Sequence, residues 1–91
     1  MEVYWTLKAQ NDLERIYHFA CQYSKSHANN VLDHLIISTT DLALQPKIGI
    51  PQPRYKPREV RKVLFSDYEV HYEISNDTIY IVDLWHTREK R

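Results

Sequence analysis

The segment 68-YEVHYEI-74 carries the clearest two-residue periodicity in the chain. Large apolar or aromatic side chains stand at every second position, at Tyr68, Val70, Tyr72 and Ile74. The polar side chains of Glu69, His71 and Glu73 alternate with them. Because successive side chains of a strand point to opposite faces, this pattern predicts a strand with one buried face and one face in water.

Strand-like segments flank this one on both sides. The turn-forming residues 75-SNDT-78 lead into 79-IYIVDLWH-86, so the last two segments predict a hairpin. The final segment is apolar on both faces apart from Asp83, as expected of an interior strand that is covered on two sides. In its alternation His86 continues the face of Tyr80, Val82 and Leu84. The preceding segment, 59-EVRKVLF-65, predicts a strand but has no clean face that would fix its partner.

The first half of the chain predicts a short strand and two helices. Residues 2–6 read as a strand, and Thr6 can cap the helix that follows. Residues 7 to about 25 carry one apolar helical stripe, at Ala9, Leu13, Ile16, Ala20 and Tyr23, with Asp12 and Glu14 off the stripe. A second stripe over residues 28 to about 44 comprises Ala28, Leu32, Leu35, Thr39 and Leu42. The short break "SKSHA" predicts an antiparallel helical hairpin.

Residues 45–57 contain every proline and the single glycine, and predict a loop. Gly49 is expected to fill a position of positive φ or of tight packing. The order is therefore strand, helix, helix and three strands. We expect one α+β domain over residues 1–91, with the helices packed on one face of the sheet.

Composition restricts the function. The formal net charge is zero, so no global field draws the chain to nucleic acid or membrane, and no apolar run is long enough to span a membrane. A single cysteine, Cys21, excludes an intramolecular disulfide and fits a cytoplasmic protein. Charge is nevertheless segregated, because residues 47–62 hold six Lys or Arg against Glu59 alone.

Candidate functional residues lie in the second half. No phosphate loop, zinc motif or nucleophile motif is present, so no cofactor or metal is predicted. The basic segment 54-RYKPREVRK-62 and the tail 88-REKR-91 suit an acidic or phosphate-bearing partner, or else form a solvated edge. Glu69, His71 and Glu73 fit acid–base chemistry, or only a polar sheet face. His86 is either a proton-transfer group or a strand-end histidine bonded to backbone.

Together these features resemble the RelE/ParE superfamily of toxins from type II toxin–antitoxin systems. The resemblance rests on the element order, on "A..DL..I" at residues 9–16, on the Pro46 and Gly49 loop, and on "VRKVLFSDYEVHYEI" and "IYIVDLWHTREKR". It implies one of two activities, ribosome-dependent cleavage of messenger RNA or inhibition of DNA gyrase. Nuclease members resemble "YRV.Y" in the strand where this chain has Glu69 in "YEVHY", and they are strongly basic. The resemblance therefore favours the ParE-like branch.

The ParE-like branch implies a non-enzymatic gyrase inhibitor that is neutralised by a cognate antitoxin. The antitoxin would wrap over the helical hairpin and the sheet. The expected assembly is either a toxin–antitoxin hetero-oligomer or a toxin homodimer. Neither a membrane nor sequence-specific nucleic-acid binding is expected. The predicted target-binding residues are the cations of the basic segment, His86 and the cations of the tail: Arg54, Lys56, Arg58, Arg61, Lys62, His86, Arg88, Lys90 and Arg91. Two alternatives remain open, a ribonuclease that uses His86 and Arg61, and a non-toxic homologue that binds only its partner.

Overall fold

The computed structural model describes residues 1–89, and Lys90 and Arg91 lie outside the described residues. The strands are β1 (Glu2–Trp5), β2 (Ile50–Pro51), β3 (Glu59–Phe65), β4 (Tyr68–Ser75) and β5 (Thr78–His86). The helices are α1 (Leu7–Ala20) and α2 (Lys25–Thr40). The sheet has the order β1-β5-β4-β3-β2, with β1 parallel to β5 and the other neighbours antiparallel. This confirms the α+β fold, with the helices on one face of the sheet.

The break between the helices falls earlier than the sequence predicts. α1 ends at Ala20 rather than near residue 25, and α2 begins at Lys25 rather than at Ala28. The cause is Ser24, whose side-chain oxygen accepts a hydrogen bond from the backbone N–H of His27 at 2.9 Å. A serine in this role satisfies a backbone donor that the first helical turn leaves free. At its other end, α2 stops at Thr40 and is followed directly by a 3-10 turn at Asp41–Ala43.

The buried stripe of α1 contains a carboxylate that the sequence analysis placed outside it. Ala9, Ile16 and Ala20 are buried as predicted, but Asp12 is only 3% exposed and Tyr23 is 73% exposed. Asp12 is buried because its carboxylate accepts hydrogen bonds from Lys8 and Arg15, each at 2.6 Å, and from the backbone N–H of Leu84 at 3.2 Å. A buried carboxylate that is bonded in this way ties α1 to β5.

The predicted loop of residues 45–57 is partly regular. It contains β2, which pairs with Arg61 and Lys62 of β3, and a 3-10 turn at Pro53–Tyr55. Of the two roles predicted for Gly49, the structure shows tight packing and not a positive φ. A Cβ at this position would lie 2.7 Å from the Tyr72 hydroxyl oxygen and 2.9 Å from the Lys62 carbonyl oxygen. The Tyr72 hydroxyl accepts from the Gly49 N–H at 2.9 Å and donates to the Pro46 carbonyl at 2.7 Å, so it anchors the segment.

The last two strands form the predicted hairpin. Its turn places Asn76 and Asp77 at φ values of 51° and 59°, the left-handed region that two-residue hairpin turns require. β4 keeps its predicted alternation, since Val70 and Tyr72 are fully buried beneath the helices. The opposite face is not wholly in water as predicted, because His71 is only 5% exposed. The core comprises these residues together with buried residues of α1, α2 and β5, including Leu35, Ile79, Ile81 and Leu84.

β5 departs from its predicted alternation at Val82. His71 of β4 pairs with Asp83 while the next residue, Tyr72, pairs with Ile81, so Val82 is an extra residue in β5. Such a bulge turns every later side chain to the opposite face. Leu84 and His86 therefore share the helix face with Ile81, and the prediction that His86 shares a face with Tyr80 and Val82 is wrong.

The second correction to β5 concerns its cover. The strand is interior, as predicted, but the helices cover one face and the opposite face is open. Tyr80, 38% exposed, stacks there on Tyr4 of β1 with ring centroids 6.2 Å apart. We call this open side the outer face.

Candidate docking surfaces on two faces of the sheet

A groove of about 590 Å³ opens on the helix side, at the end of the sheet where β5 stops. Its floor is largely apolar and is formed by Ile16, Phe19, Ala20, Tyr23 and Tyr68. The aromatic side chain of Phe19 is 60% exposed to solvent. We call this surface the helix-face groove. A concave apolar surface with charged edges is the form that amphipathic peptide segments occupy.

His86 lies in the wall of the helix-face groove because the bulge at Val82 turns it there. Its ring meets Tyr68 edge to face, with centroids 5.1 Å apart. The Nδ1 atom accepts a hydrogen bond from the backbone N–H of Arg88 at 3.1 Å. In the neutral ring the proton therefore lies on Nε2. The backbone hydrogen bond that a strand-end histidine was expected to make is present.

An ionic network fastens the C-terminal turn to α1. Arg15 forms an ion pair with Glu89 at 3.0 Å and also donates to Asp12 and to the Leu84 carbonyl. Glu89 accepts the backbone N–H of His86 at 3.0 Å. Burial alone favours a raised pKa for Asp12, but the hydrogen bonds from Lys8, Arg15 and Leu84 prevail and lower its pKa. Burial likewise opposes the charge of Arg15, yet its acidic partners raise the pKa of Arg15.

A second cavity, of about 650 Å³, lies on the outer face. Residues 52–55 form one wall, and the remaining lining comes from three neighbouring strands, as Lys62, Glu69, His71, Asp83 and Trp85. We call it the outer-face cleft. Apolar surface does not predominate in it as it does in the helix-face groove, and Tyr55 and Trp85 supply the aromatic side chains.

His71 joins two carboxylates at the base of the outer-face cleft. Its Nε2 lies 2.9 Å from a carboxylate oxygen of Glu69, and its Nδ1 lies 3.3 Å from a carboxylate oxygen of Asp83. The ring is 5% exposed and meets the Trp85 indole edge to face at 4.7 Å. Glu73, which the sequence grouped with these residues, instead pairs with Arg58 at 2.7 Å. The structure thus brings Glu69 and His71 together with Asp83, a partner from the next strand.

The cations of the basic segment divide into two groups. Arg61 is held inside the fold, because it donates to the Gly49 carbonyl at 2.7 Å and pairs with Glu59 at 3.0 Å. The hydrogen bond from Arg61 lowers the pKa of Glu59, with a further contribution from Lys47. Arg58 is engaged by Glu73. Within residues 1–89, no ion pair involves the side chains of Arg54, Lys56 or Lys62.

The remaining predicted residues lie apart from these cations. His86 and Arg88 line the helix-face groove, on the opposite side of the sheet from Lys62. Arg61 faces Tyr72 of β4, whereas His86 faces Tyr68. Four residues of extended chain span about 13 Å, so the structure does not bring His86 and Arg61 into one site. Lys90 and Arg91 lie outside the described residues.

Three residues that line or support these surfaces were not predicted from the sequence. Asp12 and Arg15 occur at i, i+3 spacing on α1, a pattern that signals a helical ion pair but not its burial. Asp83, the acidic residue in an otherwise apolar strand, was the available signal for a polar contact on the outer face. Among residues 1–89, no cluster of three or more His, Cys, Asp or Glu side chains is arranged to hold a metal ion. None of the helices in this described part is both long and apolar enough to cross a bilayer.

The fold is one that is found in toxin–antitoxin systems. A structure described as the chromosomal ParDE toxin–antitoxin system from P. aeruginosa superposes with a TM-score of 0.77, and it covers 94% of this chain and 95% of its own. Sequence identity is 21%, so this likeness speaks to the fold. No curated protein matches the sequence at a significant level. The model of the ParE toxin of the type II toxin–antitoxin system parDE matches residues 3–91, and the chain belongs to this family.

Proposed function

We propose that this chain is the toxin component of its type II system, that it inhibits DNA gyrase in the cytoplasm, and that a cognate antitoxin neutralises it. The family match over residues 3–91 carries this proposal. Glu69 supports the gyrase branch over the nuclease branch, because a carboxylate stands where a cation would bind the scissile phosphate. The carboxylate also lies 2.9 Å from His71, so its position is fixed by the fold.

The target-binding surface that we favour is the set of predicted cations that have no acidic partner within residues 1–89. Arg54 and Lys62 belong to this set in the outer-face cleft, and Arg88 belongs to it on the other side of the sheet. Lys56, directly after the 3-10 turn at Pro53–Tyr55, is its fourth member. Lys90 and Arg91 remain proposed contacts. Arg58 and Arg61 contribute less in this proposal, since breaking their internal pairs offsets part of what a new contact supplies. No bond is made or broken in the target by the chain itself.

The antitoxin site that we favour is the helix-face groove. An amphipathic helix or strand of the antitoxin would bury apolar side chains against Phe19 and Tyr23, and its carboxylates would meet Arg88. Exchanging Phe19 for serine should weaken antitoxin binding at least tenfold, because the lost aromatic surface is central to the groove. Leu44→Ser is the matched control, since Leu44 is 80% exposed and lies outside the groove. Equal losses for the two variants would contradict this placement.

A supercoiling assay with purified gyrase, run beside a translating-ribosome assay that follows message integrity, tests the activity. We expect inhibited supercoiling and intact message. Cleaved message with normal supercoiling would establish the ribonuclease instead. An intact message with normal supercoiling, from a chain that still binds its antitoxin, would identify the non-toxic homologue.

His86→Gln separates the two toxic activities a second way. A nuclease that depends on this imidazole for proton transfer should lose orders of magnitude in rate, whereas a gyrase inhibitor should change only a few-fold. The geometry favours the second outcome, because Nδ1 accepts the Arg88 N–H and the register partners of His86 and Arg61 are four residues apart on β4.

A further inference from the structure

The outer-face cleft combines free cations with carboxylates that already have a partner. Lys62 projects from β3 directly opposite His71, and Arg54 faces it from the wall formed by residues 52–55. Neither cation forms an ion pair within residues 1–89. The Arg54 guanidinium instead lies over the Tyr55 ring, 4.9 Å from its centroid. Cations held above a concave aromatic surface attract an anionic group, most strongly at low salt.

The base of the cleft selects among anionic ligands. Glu69 and Asp83 flank His71, and a carboxylate is a hydrogen-bond acceptor that repels negative charge. A nucleic-acid backbone carries acceptors and one negative charge at each phosphate, so it opposes this base along its whole length. A polypeptide carries backbone N–H donors between its side chains. An acidic peptide therefore satisfies both parts of the cleft, with carboxylates at the cations and N–H groups toward the base.

The size and the aromatic walls agree with a peptide. About 650 Å³ accommodates a few residues of extended chain. Trp85 and Tyr55 line the cleft, and aromatic side chains of this kind dominate the energetics of protein interfaces. The cleft lies on the opposite face of the sheet from the helix-face groove.

We propose that the outer-face cleft binds an extended acidic peptide segment of the target protein, whose carboxylates are held by Lys62 and Arg54. The assignment of that segment to gyrase rests on the proposed function above. Binding of an acidic peptide over the base formed by Glu69, His71 and Asp83 does not depend on that function.

Hexaglutamate tests the cleft directly. Titrated into the isotope-labelled full chain at low salt, it should shift the Trp85 indole N–H resonance saturably, and leave that of Trp5 unmoved as an internal reference. Lys62→Glu should weaken this binding at least tenfold, because it reverses a charge at the rim. Lys25→Glu is the matched control, since Lys25 lies on α2 away from the cleft, and it should bind as the wild type does.

Each outcome of the titration is decisive. No saturable shift at Trp85, or equal losses for the Lys62→Glu and Lys25→Glu variants, overturns the proposal. A stronger shift with hexauridylate than with hexaglutamate overturns it in favour of single-stranded nucleic acid. Should Lys62→Glu disturb the fold by circular dichroism, Arg54→Glu carries the same test from the opposite wall.

A gyrase assay of the same variants separates the two proposals. If both proposals are right, Lys62→Glu inhibits gyrase at least tenfold less than the wild type does, while its binding to the antitoxin is unchanged. Lys25→Glu should inhibit gyrase as the wild type does. If the wild type binds hexaglutamate in the cleft but leaves supercoiling intact, gyrase is the wrong target and the cleft stands. If the wild type inhibits gyrase and Lys62→Glu inhibits equally well, the cleft is not the docking site.

Discussion

The two faces of one sheet use charge in opposite ways. On the helix side, Asp12, Arg15 and Glu89 bind one another and the backbone of β5, so their charges fix the shape of an apolar groove. On the outer side, His71 contacts the carboxylates of Glu69 and Asp83. Arg54 and Lys62 have no acidic partner there within residues 1–89. A chain with zero net charge can thus hold its charge internally at one surface and present it at another. Apart from their controls, five substitutions test this comparison, from the largest expected effect to the smallest.

Asp12→Ala should cause the largest loss, about 3 kcal/mol of unfolding free energy, because it removes the acceptor that Arg15 and the Leu84 N–H share inside the fold. The pKa of Asp12 is lowered in the native state, so its contribution is complete above an unfolded pKa of about 3.9. The contribution is lost as pH falls through the lower native value. Urea unfolding at pH 7 and at low pH should therefore show a difference from wild type that shrinks with acid.

The control for this substitution is Glu14→Ala, which removes an exposed carboxylate from the same helix. It should leave the unfolding midpoint near that of wild type at both pH values. A loss for Asp12→Ala no larger than that of the control would mean that the network on the helix face does not fix the groove.

His71→Leu should cost about 2 kcal/mol, because it removes the ring that Glu69 and Asp83 both contact in a 5% exposed position. Thermal or urea unfolding measures this loss. His18→Leu is the comparison, since His18 is exposed on α1 and its contacts with Glu14 and the Tyr17 ring lie within that same helix. Similar stabilities for the two variants would show that the base of the outer-face cleft is a solvated surface and not a buried contact.

Gly49→Ala should cost about 1 to 2 kcal/mol by forcing a Cβ against the Tyr72 hydroxyl and the Lys62 carbonyl. Tyr72→Phe should cost about 1 kcal/mol through the lost hydrogen bonds to Pro46 and Gly49. The double variant should be less destabilised than the sum, since removing the hydroxyl relieves part of the clash. Strict additivity in a double-mutant cycle would contradict the contact.

Thr6→Ala should have the smallest effect on stability, about 1 kcal/mol, as expected for a lost helix cap. Ser24→Ala removes the equivalent cap of α2 and provides the matched comparison. Unlike Ser24, the Thr6 hydroxyl also donates to the Ile81 and Val82 carbonyls at the bulge. Amide shifts around Val82 should therefore change in the Thr6 variant and not in the Ser24 variant.

The sequence predicted the fold wherever one physical rule dominated. The alternation of β4, the cap at Thr6 and the turn before β5 were readable because each depends on residues that are close in the chain. The second helix began three residues early for a similarly local reason, since Ser24 acts as a cap and the apolar stripe starts only at Ala28. β2 was missed because two residues between prolines carry too little pattern to indicate a strand.

The surfaces were less predictable because they depend on pairing between distant segments. Whether Arg61 is free or bound is decided by the Gly49 carbonyl, and whether His71 has one or two acidic partners is decided by Asp83 of the next strand. Burial of Asp12 likewise requires the backbone of Leu84, 72 residues away in the chain. Counting charges along the sequence located the basic segment but not which of its members remain available.

The extra residue at Val82 shifts the reading frame of β5. Ahead of it the odd-numbered residues Ile79 and Ile81 face the helices, and beyond it the even-numbered Leu84 and His86 do. Two relatives aligned letter for letter over this strand can therefore present the same histidine on opposite sides of the sheet, if only one has the bulge. Deleting Val82 should therefore restore regular alternation and leave His86 in the helix-face groove, because Ile81 and Asp83 already lie on opposite faces and pair with adjacent residues of β4.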